Sequence, residues 1–184
     1  MDAEGNVGYE ARYGWNARSG RAIGISALFV VVGIFAPMSL AFRVLILAFF
    51  GGGGALLLGI VCSRRLALRV DSQGITLGGV PPRYRQKTVT VPWADIEKVV
   101  LWKQALSYGQ SMPYVGLVRR PEAPALAGPK GQQVARGVAG VFHVPVSAET
   151  LSASRAVNGW RLDKPRFVAA VKSFAPDVPL DDNW

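Results

Sequence analysis

The chain has 184 residues, half of them of hydrophobic types, and its 21 Lys or Arg outnumber its 12 Asp or Glu, for a formal net charge of +9. One cysteine and one histidine exclude an internal disulfide, a CxxC metal motif and a His/Cys metal centre. The basic residues are scattered, with no Lys/Arg-rich helix and no aromatic-interleaved motif, so nucleic acid is not the partner that this charge implies.

Met1–Arg21 is polar, holds Asp2, Glu4 and Glu10, and lacks apolar periodicity; it reads as a flexible leader with an interfacial end at Tyr13 and Trp15. Residues 22–63 then form two apolar stretches, about 22–40 and 44–63, divided by Arg43. No charged residue lies among the 21 residues between Arg21 and Arg43, or the 20 between Arg43 and Arg64. A hydrocarbon core about 30 Å thick takes roughly 20 apolar helical residues, and spanning backbone must satisfy its own polar groups. The expectation is a transmembrane helical hairpin, with Pro37 ending the first helix. Gly24 and Gly33 are expected to face the run Gly51–Gly54. The acids of the leader and the immediate second stretch speak against a cleaved signal peptide. Neither stretch holds an ionisable group other than Cys62 at its end, which speaks against transport. Arg12, Arg18 and Arg21 precede the hairpin, Arg64, Arg65 and Arg69 follow it, and Arg43 alone lies in the turn. Both termini are therefore expected in the cytoplasm, at the inner membrane of a cell.

Residues 64–184 carry 17 Lys or Arg and 9 Asp or Glu and are long enough for one domain with its own core. Leu66–Val70 and Ile75–Leu77 are expected strands around the turn Asp71-Ser72-Gln73-Gly74. Gly78–Pro82 breaks the pattern, and Arg83–Lys87 reads as a basic loop. Thr88–Val91 is β-branched throughout and extended. Pro92–Ile96 is a tight corner, followed by strands over Glu97–Lys103 and Pro113–Arg119. Residues 120–133, with three prolines, form a long surface loop. One or two strands are expected over Gly137–Val146. Asn158-Gly159-Trp160 is a turn with an aromatic anchor, and Asp163 caps a helix with Pro165 in its first turn. Phe167, Val168, Val171 and Phe174 recur at helical spacing, and Asp177–Trp184 is a short acidic tail. The fold class is α+β: a bent antiparallel sheet or partial barrel with a closing helix.

Three motifs, Leu68-Arg69-Val70-Asp71-Ser72-Gln73-Gly74-Ile75, Val91-Pro92-Trp93-Ala94-Asp95-Ile96-Glu97-Lys98-Val99 and Asn158-Gly159-Trp160-Arg161-Leu162-Asp163, resemble those of bacterial pleckstrin-homology-like (PH-like) domains in small membrane proteins. The resemblance implies a PH-like partial barrel closed by the final helix, behind a two-helix anchor. It also implies that the domain binds rather than catalyses. In lipid-binding domains of this type basic residues beside the first hairpin hold phosphoinositide head groups. Here the turn Asp71–Gly74 is short and partly acidic, a departure from that pattern.

Trp93 and Ile96 read as core residues of a structural corner and Asp95 as the residue that caps or ties its turn, with Trp160 and Asp163 as an anchor and a cap. Arg64, Arg65, Arg83, Arg85 and Lys87 are the candidate contacts to anionic lipid. No catalytic, cofactor or metal residues are expected: there is no phosphate-binding glycine loop and no nucleophile elbow near Ser147. The leading expectation is a non-enzymatic membrane protein that recruits a protein or peptide partner through a PH-like scaffold domain. The alternatives are sensing of anionic lipid at the inner leaflet and a membrane-bound hydrolase using Asp95 and His143.

Overall fold

A computed structural model describes residues 8–79, 83–106, 110–124, 126, 137 and 146–184. It divides into two compact units. A hairpin unit comprises Arg12–Arg65 with Gly159–Arg161, and a sheet unit comprises Met1–Ala11, Leu66–Asn158 and Leu162–Trp184.

The hairpin unit holds two helices long and apolar enough to cross a membrane, α1 (Ala17–Phe35) and α2 (Leu40–Cys62). Helix α1 starts at Ala17, ahead of the apolar stretch that begins at Ala22, because Asn16 caps it: its side chain accepts from Ser19 N at 2.7 Å, and Asn16 N donates back to Ser19 Oγ at 3.1 Å. It ends at Phe35, two residues before Pro37. Helix α2 carries one π-helical turn, Leu47–Gly51, and is α-helical on either side of it. The two helices meet in antiparallel register. Phe29 stacks on Phe50 with ring centroids 4.2 Å apart, a Cβ on Gly33 would lie 3.0 Å from Ile46 Cγ2, and one on Gly54 would lie 3.0 Å from Ser26 Cβ. So Gly33 faces Ile46 and Leu47 rather than the glycine run, Ser26 is the residue opposite Gly54, and Gly24 has open space beside it. Small residues serve close approach, Gly33 against the larger Ile46 and Leu47 and Gly54 against the small Ser26. Leu28, Phe35, Leu40, Phe42 and Phe49 remain exposed, Phe35 at 80%.

The sheet unit contains two four-stranded sheets. Sheet A runs β1-β2-β3-β4: β1 (Tyr9–Arg12), β2 (Leu66–Asp71), β3 (Gly74–Leu77) and β4 (Val89–Pro92). Sheet B runs β7-β6-β5-β8: β5 (Ile96–Ala105), β6 (Ser111–Arg119), β7 (Ser154–Ala156) and β8 (Leu180–Asn183). The pairs β2–β3, β3–β4, β5–β6 and β6–β7 are antiparallel, while β8 lies parallel to β5. Short helices α3 (Tyr84–Lys87) and α4 (Ala148–Ser152) precede β4 and β7, and α5 (Lys164–Phe174) precedes β8.

The core joins Leu68 and Val70 of β2, Ile75 and Leu77 of β3, Val99 and Leu101 of β5, Val115 and Leu117 of β6, and Phe167 and Val171 of α5, all without solvent exposure. Phe167, Ala170 and Val171 recur at i, i+3 and i+4, one face of a helix, and α5 packs on β2. Gly74 is required where it stands: its φ is +145°, and a Cβ there would lie 2.1 Å from Val91 O.

The leader is not wholly a flexible tail. Tyr9 and Ala11 alternate with Glu10 and Arg12 at a strand's period of two, and the apolar pair is buried. Tyr9 lies edge-on to Phe167 with centroids 5.9 Å apart, and its Oη accepts from Asp163 N at 2.9 Å. Tyr13 is likewise buried, whereas Trp15 is 60% exposed. Arg83–Lys87 is not a loop throughout, since Tyr84–Lys87 forms a helical turn. The acidic tail is not a tail either, because its Leu-Asp-Asp-Asn becomes β8. The strands expected over Gly137–Val146 and most of the 120–133 loop lie outside the described residues, as does His143.

Candidate functional site

Strand β5 shows both faces of sheet B. Val99 and Leu101 point into the core, so Lys98, Val100 and Trp102 point to the other side. There they sit opposite Val118, Gly116 and Tyr114 of β6. Helix α4 lies over part of this second face. Ser147 caps it, accepting from Thr150 N at 3.1 Å and sharing a hydrogen bond with Thr150 Oγ1 at 2.9 Å. Ser147 is thus a capping residue. Arg119 anchors the helix by donating to Glu149 Oε1 at 3.2 Å and to Pro124 O.

Gly116 lets α4 settle onto the sheet. A Cβ at that position would lie 2.6 Å from Ser154 Oγ, 3.1 Å from Trp102 Nε1 and 3.4 Å from Thr150 Cγ2. Among the described residues a cleft of about 590 Å³ lies beside α4. Its floor is Val100, Trp102 and Val118, one wall is Val146, Ser147 and Thr150, and the other is Asp181 and Asn183 of β8, with Lys98 and Lys103 at its margins. The Trp102 indole stacks on Tyr114 at 4.3 Å and 10° and donates to Ser154 Oγ at 3.4 Å. Burial raises the Tyr114 pKa above its ordinary value of 10.0, so this phenol is neutral at physiological pH. Lys98 Nζ pairs with Asp181 Oδ2 at 2.9 Å. An apolar floor with a few fixed polar groups at its rim is suited to binding a partly apolar ligand.

The sequence singled out other residues. Arg83, Arg85 and Lys87 come together, all exposed, on and beside α3 in the sheet unit. Arg155 ties that turn down, its guanidinium donating to Lys87 O at 2.7 Å and Gly78 O at 3.0 Å. Arg64 and Arg65 belong to the hairpin unit. There Arg64 O accepts from Arg12 Nη1 at 3.2 Å and Arg65 O from Tyr13 N at 2.9 Å. Arg64 has φ +47°, the left-handed conformation that often follows a helix end.

Ile96 is fully buried, but Trp93 is half-buried, its indole donating to Asp71 O at 2.9 Å and so bracing the β2–β3 turn. The Asp95 carbonyl accepts from Arg120 N at 3.0 Å. Trp160 is 3% exposed in the hairpin unit, where Gly14 N donates to Gly159 O at 2.8 Å. Asp163 caps α5, accepting from Arg166 N at 3.2 Å. Among the described residues no group of three or more His, Cys, Asp or Glu side chains converges.

The cleft residues were not singled out from the sequence. The alternation of Lys98, Val100 and Trp102 was a signal for a second covered face on β5. The contributions of α4 and β8 had no such signal. No family model, curated protein or solved structure matches the chain.

Proposed function

We propose that this is a non-enzymatic integral membrane protein. Its α1–α2 hairpin holds a PH-like binding domain at the cytoplasmic face of the cell membrane, and the sheet B cleft receives a protein or peptide partner. The observation that carries the reading is the open, apolar-floored cleft beside α4 in a chain whose hairpin helices expose Phe35, Leu40 and Phe49. Apolar helix surface of that extent is compatible with lipid and costly in water. The PH-like assignment is supported by two mainly antiparallel sheets followed by an amphipathic helix, with β8 as an addition to the expected order. The orientation is supported by the basic flanks of the hairpin.

A photoreactive residue at Val118, on the cleft floor, and another at Gln73, in the β2–β3 turn, test the reading in living cells. A discrete protein adduct from position 118 and none from 73 is expected. Lipid adducts alone at both positions would contradict it.

The exposed cluster Arg83, Arg85 and Lys87 favours a second reading, in which the domain senses anionic lipid. Each basic residue near such a surface contributes about 1 kcal/mol. Triple replacement by Ala should then abolish salt-dependent association of the full chain in one set of vesicles with a second, phosphatidylserine-rich set. Unchanged association would sink it.

A further inference from the structure

Strand β8 is unlike the strands it joins. Its sequence, Leu180-Asp181-Asp182-Asn183, is mainly polar, it pairs along one side of β5, and none of its residues is fully buried. Its register on β5 is Val99 with Leu180, Val100 with Asp181, Leu101 with Asp182 and Trp102 with Asn183, continued by Val99 N donating to Pro179 O at 3.0 Å. Each of its two acids meets a lysine. Asp181 pairs with Lys98 at 2.9 Å, and Asp182 pairs with Lys164 of α5 at 2.5 Å and also feels the Lys103 charge. The Trp184 indole donates to Tyr114 O at 3.3 Å, and the Lys164 ammonium stands 5.7 Å from the Trp184 ring centroid.

This is the anatomy of a strand-addition site: main-chain hydrogen bonds along an edge, with side-chain recognition on both faces of the added strand, Asp181 by Lys98 and Asp182 by Lys164. We infer that the groove along β5 lined by Lys98, Lys103, Lys164 and Tyr114 is a binding site for an acidic extended segment of a partner protein, and that residues 180–184 fill it in cis. The occupant displays the chemistry the groove accepts: an aliphatic residue, two consecutive acids and an aromatic ring three residues after the first acid. The three lysines supply the complementary charge in a chain of net +9. Both ion pairs are partly exposed, and solvent-screened pairs hold weakly, so the cis strand can be exchanged for one in trans. Asp181 and Asn183 also wall the cleft, so exchange of β8 would remodel that site. The inference rests on the reading of the chain as a peptide-recruiting protein and names the partner's chemistry.

The test uses the full chain in nanodiscs and a fluorescent hexapeptide, Pro-Leu-Asp-Asp-Asn-Trp. Asp181→Asn with Asp182→Asn in the chain weakens the cis strand, and the peptide is expected to bind this variant about tenfold more tightly than the unaltered chain. A scrambled peptide of the same composition should bind neither. Equal binding of the peptide to variant and unaltered chain, or equal binding of the scrambled peptide, would overturn the inference. Hydrogen exchange on the unaltered chain gives a second measurement that needs no variant. Raising salt from about 0.05 M to about 1 M should speed exchange across Leu180–Asn183 while leaving β3 unchanged. Protection of β8 that is indifferent to salt would overturn it. If both tests fail while the Val118 adduct still forms, the groove is not the peptide site and the broader reading stands.

Discussion

Tyr9 decides whether the start of the chain is part of the folded domain. Its ring is 5% exposed and edge-on to Phe167, and its Oη accepts the Asp163 N–H at the start of α5. Tyr9→Phe keeps the ring and leaves that donor without its acceptor, which costs roughly 1 kcal/mol. Tyr9→Ala also removes a buried ring and an aromatic pair, for a loss of about 3–5 kcal/mol. At roughly 4 °C per kcal/mol for a domain of this size, the two variants should melt about 4 °C and 12 °C or more below the parent. The assay is thermal unfolding of the full chain in detergent, followed by tryptophan fluorescence. Burial raises the Tyr9 pKa above its ordinary value of 10.0, against a smaller opposing effect of the Asp163 hydrogen bond. The folded state therefore holds this proton more tightly than the unfolded state. The corresponding stability is complete below pH 10.0 and is lost as pH rises through the folded value. Tyr9→Phe should remove part of the alkaline instability, and Tyr114, shifted the same way by burial, should account for more. A Tyr9→Ala protein that melts with the parent would show that residues 9–11 do not pack within the sheet unit, and would refute the reasoning.

Other substitutions probe single contacts. Gly74→Ala places a methyl group against Val91 O at a φ of +145° and should cost at least about 2 kcal/mol, read as a lower urea midpoint. Gly116→Ala, with its Cβ 2.6 Å from Ser154 Oγ, should lift α4 off the sheet, cost about 1–3 kcal/mol and speed hydrogen exchange in α4 before that of β5. Arg64→Gly relieves a non-glycine residue at φ +47° and should leave stability unchanged or raise it by up to about 1 kcal/mol in the same melting assay.

What the sequence announced and what it hid differ in physical kind. The hairpin was legible because uninterrupted apolar composition is a local property, as were the Asp71–Gly74 turn, the Trp93 corner and the Asp163 cap, whose signals span five residues or fewer. Which residues faced Gly33 and Gly54 was not legible, because the antiparallel register depends on packing between two helices. Strand β8 was hidden because Leu-Asp-Asp-Asn has low strand propensity and is held extended by β5 and by lysines at positions 98 and 164. Strand β1 did carry the alternation Tyr-Glu-Ala-Arg, but over four residues that pattern is too short to stand apart from a polar leader. The cleft needed α4, β5, β6 and β8 together, four elements whose meeting is a tertiary fact. The basic residues illustrate the limit of reading by charge alone: Arg83, Arg85 and Lys87 share one turn of the sheet unit, while Arg64 and Arg65 belong to the hairpin unit.

Membrane anchoring with the sheet unit in the cytoplasm is the claim on which the rest depends. It is tested most directly by replacing Cys62 with Ser, introducing Ser39→Cys in the α1–α2 turn or Gln73→Cys in the β2–β3 turn, and treating intact cells with a membrane-impermeant thiol reagent. The account predicts labelling at position 39 and labelling at position 73 only after the membrane is permeabilised. Labelling of 73 with shielding of 39 in intact cells would contradict it.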